Sequence, residues 1–276
     1  MSAPPRVAVV GHVEWVTHAR GAFPPPGGIA RLADPFDEPA GGGAVAAAQI
    51  AKLGVETHFF TALGADEAGE RAASALRGLG VRVHAARREQ PQTRAVSVTG
   101  PDGDRSIAVV GAATDARADD DLPWELLGDC DGAYFTGRDP QTLRRARAAR
   151  RLVVTARRRR ALVDSRVGPD VVLGSASDPD ESLEDLDVDA EAWVLTEGGR
   201  GGRHRRRGGS WERFAPADPP GPAVDTYGCG DSFAAGLTAG LARGLGLADA
   251  LRLGARCGAA VLTGRGGLAA QLREGG

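Results

Sequence analysis

Lysine is almost missing from this 276-residue chain, with Lys52 the single example. Nothing around Lys52 reads Gly-Lys-Ser/Thr, which excludes a Walker P-loop and leaves backbone amides, arginines and metal for any phosphate chemistry. Cysteine is scarce too. Cys130, Cys229 and Cys257 are far apart with no Cys-x-x-Cys, which argues against a disulfide framework and against a zinc site. Aromatic residues make up only 5%, so stacking surfaces for nucleobases are few. Neither sign of charge dominates: the net charge is -2 and the pI about 6.2, favouring neither nucleic acid nor an anionic membrane as partner. No apolar run approaches the roughly 20 residues that span a bilayer. The first residues lead straight into an apolar strand without the basic start and long apolar core of a signal peptide, so a cytoplasmic location is expected. Two arginine-rich runs, residues 157–160 and 203–207, lack interleaved aromatics. They read as solvated surface, with contact to a nucleotide phosphate as the alternative.

What the chain has instead is glycine, 40 residues of it. The most informative cluster is Asp225-Thr226-Tyr227-Gly228-Cys229-Gly230-Asp231, which runs directly into Ser232-Phe233-Ala234-Ala235-Gly236-Leu237-Thr238-Ala239-Gly240-Leu241. Phe233, Leu237 and Leu241 recur every four residues with small residues between them, predicting a helix that begins near Asp231 and packs closely through Gly236 and Gly240. Glycines before a helix start let successive N–H groups converge, and the helix dipole adds positive potential there, so the loop is an anion site. A carboxylate at such a place would repel a bound phosphate. Asp231 makes sense if it takes the proton of a hydroxyl attacking phosphorus; the plainer reading is a helix cap worth about 1 kcal/mol.

Asp-Thr-x-Gly-x-Gly-Asp followed by a small-residue helix resembles the C-terminal signature of the ribokinase-like, or PfkB, sugar kinases, with Cys229 where alanine is usual. The resemblance implies that Asp231 is the catalytic base and that the amides of Gly228, Cys229 and Gly230 form an anion hole for the transferred phosphoryl. Thr226 would contact ATP, and Asp225 would help hold a monovalent cation, K⁺ in this family. Leu195-Thr196-Glu197-Gly198-Gly199-Arg200-Gly201 is similar to the turn beneath the nucleotide, implying ATP-binding roles for Thr196, Gly198 and Gly201. Ser175-Ala176-Ser177-Asp178 stands where the family orders Mg²⁺ through water, a role for Asp178 or Glu181.

On the substrate side, Gly41-Gly42-Gly43 before an Ala-rich helix resembles the family's N-terminal signature, whose glycine amides touch the sugar. The asparagine usual on that helix's first turn is absent, and glycines here also serve simply to relieve crowding. Glu14, with His12 beside it, follows the first strand where the family places a side chain on sugar hydroxyls. Arg94 and Arg105 lie on strands expected to reach over the substrate, or to carry solvated side chains. The Gly-x-Asp-x-x-Gly turn at residues 64–69 assigns Asp66 to capping the helix that follows.

Short β-rich runs at residues 6–10, 58–63, 81–84, 132–136, 152–155, 171–173 and 193–196 alternate with helical or polar stretches. That alternation predicts right-handed βαβ units and a mostly parallel sheet. The expected fold is α/β, a ribokinase-like three-layer α/β/α sandwich forming one domain over residues 1–276, with a small β-strand lid inserted within about 12–37 and 91–111. Trp15–Ala19 and Ile29–Ala33 are read as strands outside the main sheet, and Pro101-Asp102-Gly103-Asp104 as a hairpin turn. The expected activity is ATP-dependent phosphorylation of a hydroxymethyl group on a sugar or sugar-like substrate. A nucleoside kinase of the same fold and a non-catalytic sugar or nucleotide sensor are the alternatives, and lids of this kind often pair to make homodimers.

Overall fold

The computed structural model describes residues 4–100 and 105–275, so the turn expected at 101–104 lies outside the described residues. In chain order come β1 (Arg6–Val10), β2 (Glu14–Arg20), β3 (Ala33–Ala40), α1 (Gly42–Lys52), β4 (Glu56–Gly64), α2 (Glu67–Gly78) and β5 (Val81–Arg88). Next are β6 (Arg94–Thr99), β7 (Arg105–Val110), β8 (Gly132–Phe135), α3 (Pro140–Ala146), β9 (Leu152–Thr155), α4 (Arg159–Ser165), β10 (Val171–Ser175) and β11 (Ala192–Thr196). The chain finishes with β12 (Gly202–Arg206), β13 (Glu212–Phe214), α5 (Cys229–Ala242) and α6 (Leu247–Val261).

Nine strands form one sheet in the order β13-β12-β11-β10-β9-β8-β1-β4-β5. Every neighbouring pair from β5 across to β11 is parallel, and only β12 and β13 run back as an antiparallel hairpin. The inner strands are short, apolar and covered on both faces, as parallel strands require. Along β1, Val7 and Val9 pack into one core with α1, α2, α5 and α6, while Ala8 and Val10 pack into a second with α3 and α4. This is the expected three-layer arrangement.

Small residues set the spacing of α5 against α6. A Cβ on Gly236 would stand 2.8 Å from both Cys257 Sγ and Gly254 Cα, and one on Gly240 would stand 2.9 Å from Ala250 Cα. The helices therefore pack closer than any larger residue permits.

A second sheet of four strands, in the order β3-β2-β6-β7, makes the lid. Three of its strands lie within residues 12–37 and 91–111, and β3 runs on to Ala40. The second strand is Ala33–Ala40, whereas Ile29 belongs to the preceding loop and is 98% exposed. Its sequence, ADPFDEPA, has two prolines and no apolar alternation, a composition tolerated only at a sheet edge where a missing N–H goes unnoticed. Asp66 caps α2, accepting a hydrogen bond from the Gly69 amide, as expected.

After α6 the chain folds back over α1. The Gln49 amide donates to Leu272 O (2.7 Å), Lys52 Nζ to Leu268 O (2.5 Å) and the Gln271 amide to Val45 O (2.9 Å). Gly266 N donates to Asp225, and Gly267 N to Glu38 of the lid strand β3.

Candidate active site

The C-terminal ends of β1, β8, β9, β10 and β11 open toward one side of the sheet, the usual place for a ligand in an open α/β fold. Facing them are the starts of α1 and α5. Gly228 adopts φ 77°, a left-handed conformation that turns the chain into α5 at Cys229. Neither α1 nor α5 has a side-chain cap on its first turn, so both present backbone N–H groups and the positive end of a helix dipole. A Cβ built on Gly230 would meet nothing within 4 Å, so this glycine borders open space. A Cβ on Gly42 would sit 2.9 Å from Asp231 Oδ1 and 3.2 Å from Thr136 Oγ1. The two glycine clusters, nearly two hundred residues apart in sequence, thus meet across Asp231.

Asp231 is a first-turn residue of α5 rather than its cap. One edge faces the cleft while protein encloses the rest, and this burial, with Glu181 nearby, pushes its carboxyl up to about 6. Arg105, Arg157 and Arg158 pull it back down, which places three guanidinium groups around this carboxylate. Burial holds the Cys229 thiol up at about 12, so this residue offers its amide and not a thiolate.

Asp225 is buried, with one carboxylate oxygen accepting from Tyr227 N (2.9 Å) and the other from Gly266 N (3.0 Å), fastening the loop that precedes α5. Thr226 is exposed and accepts a hydrogen bond from Arg105 Nη1 on the lid strand β7 (2.7 Å). Arg105 also lies over the Tyr227 ring at 5.6 Å. Arg94, the other lid arginine singled out, reaches Asp66 at 3.6 Å instead.

At the end of β1, His12 and Glu14 lie beside Gly41: a Cβ there would come within 3.0 Å of His12 Cδ2 and 3.4 Å of Glu14 Cγ. Burial and the charge of Arg158 lower His12 to about 4, leaving it neutral, while burial raises the Glu14 carboxyl. A Cβ on Gly43 would stand 2.7 Å from His12 O, which fixes how closely α1 approaches β1.

On the opposite side, Thr196 closes β11 and bonds to Gly174 O (3.2 Å), Gly198 has φ 58° with open space beside it, and Gly201 turns the chain at φ 80°. Asp178 and Glu181 gather around Arg157, with Glu181 Oε1 3.0 Å from its Nε and Asp180 3.7 Å from Nη1. Among the described residues no group of three or more His, Cys, Asp or Glu side chains is arranged as a metal cage.

The arginine runs are more ordered than solvated surface. Arg157 is held by Asp178, Asp180 and Glu181, and Arg158 donates from Nε to Thr136 O (2.7 Å). Arg203 and Arg205 on β12 stack on tryptophans, Arg205 lying 4.5 Å from the Trp193 ring and 5.3 Å from that of Trp211. Thr136 and Arg158 were missed as site residues. For Thr136 the signal was present, since it directly follows the apolar parallel strand β8 and so stands at the ligand-bearing edge; Arg158 lies in the turn after β9, inside an arginine run with no such mark.

The arrangement of a partly open carboxylate beside uncapped helix starts and arginines is suited to moving a proton next to an anion. Comparison with known proteins agrees in fold and family. Over 98% of this chain and 96% of the other, the structure superposes on Arabidopsis thaliana ribokinase complexed with ribose and ATP, with a TM-score of 0.78 and 21% identity. Adenosine kinase from Sinorhizobium meliloti gives a TM-score of 0.78 and 21% identity over 97% of each chain. A 55-residue segment is 53% identical to an uncharacterized sugar kinase, YegV, of Escherichia coli K12, a match spanning 20% of this chain and 17% of that protein. The pfkB family carbohydrate kinase profile matches residues 5–168 and 172–272, and the chain belongs to that family.

Proposed function

We propose that this protein transfers the γ-phosphoryl group of ATP to a hydroxymethyl group of a sugar or sugar-like acceptor, with Asp231 as general base. The observation that carries this reading is the meeting of Gly42, Thr136 and Asp231 at one point beside the uncapped start of α5. The acceptor hydroxyl gives its proton to the Asp231 carboxylate as its oxygen bonds to phosphorus and the bond to the bridging oxygen of ADP breaks. Amides of Gly228, Cys229 and Gly230 face the charge on the phosphoryl as it moves, and their donors need no reorganisation at that moment. Gly41, Gly42 and Gly43, with His12 and Glu14, form the acceptor side, while Arg94 is paired with Asp66. Thr196, Gly198, Gly201 and Thr226 form the nucleotide side. His12, Glu14 and Thr136 are all polar, which favours an acceptor rich in hydroxyls over one that stacks a base.

Asp178 and Glu181, already gathered around one cation, are the donors available to Mg²⁺ brought by the triphosphate. When bound, that ion neutralises phosphate charge. Asp225 is assigned primarily to fastening the loop, with K⁺ near it as the family's usage suggests. The lid, whose β7 exposes Ile107, Val109 and Val110, is proposed to pair with a second copy.

The test is ATP-dependent product formation across sugars and nucleosides, read by mass, with Asp231→Asn beside wild type. The variant keeps nucleotide binding and loses on the order of 10²-fold or more in turnover. Undiminished turnover in Asp231→Asn removes the assignment.

A further inference from the structure

We infer that the acceptor carries an oxyanion, a carboxylate or phosphate on a polyhydroxy chain, and that Arg158 is the residue that selects it. This rests on the kinase reading above and names the substrate class of the same site.

Arg157 and Arg158 are consecutive and turn to opposite sides. Arg157 is satisfied by the carboxylates that follow β10, on the nucleotide side. Arg158 turns toward the ends of β8 and β1, where its Nε donates to Thr136 O (2.7 Å) and its Nη2 makes a long 3.5 Å contact with His12 Nδ1. Among the described residues it has no ion pair. The carboxylates that feel its charge, Asp231, Glu181, Glu14 and Asp115, make no ion pair with it. His12 is neutral, Asp115 is held by Arg138 at 2.5 Å, and Glu14 lies 3.8 Å from the far nitrogen of His12. Arg138 adds a second positive charge to the same surroundings.

A half-buried guanidinium with no carboxylate at ion-pair distance is costly to the folded state. Kept beside the acceptor pocket, it is explained when the ligand brings the missing oxygens, which a planar donor fork is shaped to take. The same cluster holds an orphan of the opposite kind: Asp115 Oδ1 is buried with no hydrogen-bond partner among the described residues. A ligand with both an oxyanion and hydroxyls satisfies both. The contacts of Arg158 with Thr136, after β8, and His12, after β1, assign that oxyanion to the acceptor and not to the nucleotide.

The experiment measures ATP-dependent phosphorylation of matched acceptors: gluconate against glucitol, galactonate against galactitol, and fructose 6-phosphate against fructose. For wild type, an acidic member exceeds its neutral counterpart in kcat/KM by on the order of 10- to 100-fold. The pair showing the preference tells carboxylate from phosphate. In Arg158→Gln the preference collapses through a higher acceptor KM while KM for ATP is unmoved, and Arg158→Lys, which keeps the charge without the fork, recovers part of it. Preference for the neutral members, a preference that survives Arg158→Gln, or a rise confined to the KM for ATP each overturns the inference and leaves the kinase reading standing. Failure of every acceptor to give product with wild type overturns both.

Discussion

Asp231 carries a carboxyl raised to about 6 by burial, opposed by three arginines and reinforced by Glu181. A base must be deprotonated to accept a proton, so kcat/KM should fall about tenfold per pH unit below roughly 6 and level off above it. A profile flat from pH 7 down to 5 would contradict that role. The same shift has a sign for stability. The folded value lies above the ordinary 3.8, so the charged form is disfavoured in the folded state above about pH 6, and that penalty fades as pH falls toward 4. Asp231→Asn is therefore expected to melt higher than wild type at pH 8, with the gap narrowing below pH 6, as thermal melts at several pH values would show. Asp231 was legible because carboxylate, glycines and helix stood together in sequence. Arg158 was not, because its role depends on Thr136 and His12, which only the fold brings beside it.

The α5–α6 pair shows how much an element owes to residues without side chains. Gly236→Ala gains about 1 kcal/mol of helix propensity but forces a methyl to within 2.8 Å of Cys257 Sγ and Gly254 Cα. Overpacking of that kind costs about 1–3 kcal/mol, so the contact outweighs the propensity. A melting temperature lower by roughly 2–4 °C per kcal/mol is expected. An unchanged or higher value would mean that the helices separate freely. At this scale the sequence was readable wherever burial imposed a period, as in β1 and α5. It failed at β3, where an edge strand rich in proline and acid has no buried face to write into its residues. The strand read at 29–33 was placed too early, since Ile29 is fully out in solvent and the strand starts at Ala33.

Across the whole molecule, strand ends from one sheet, two helix starts and a lid meet at a single cleft. The alternation of strands and helices made the sheet and its layers legible, since βαβ units leave few ways to connect. The side of the cleft on which each arginine falls was not legible, because charge runs have no period. The lid presents an edge strand with Ile107 at 44% and Val109 at 57% exposure on one face, an arrangement that invites pairing. Light scattering should therefore report about twice the 28.4 kDa chain mass, and the Ile107→Lys/Val109→Lys protein a single mass. A wild-type protein that stays monomeric at all concentrations would refute this pairing.

The return of the chain across α1 has one more consequence. Residues 266–272 hold Asp225, Glu38, Val45, Gln49 and Lys52 at once, joining the phosphoryl loop, the lid and the first glycine helix at one knot. A protease that nicked the protein just after α6 would therefore act as an inactivator even with every signature residue untouched, and an affinity handle is safer at the other end.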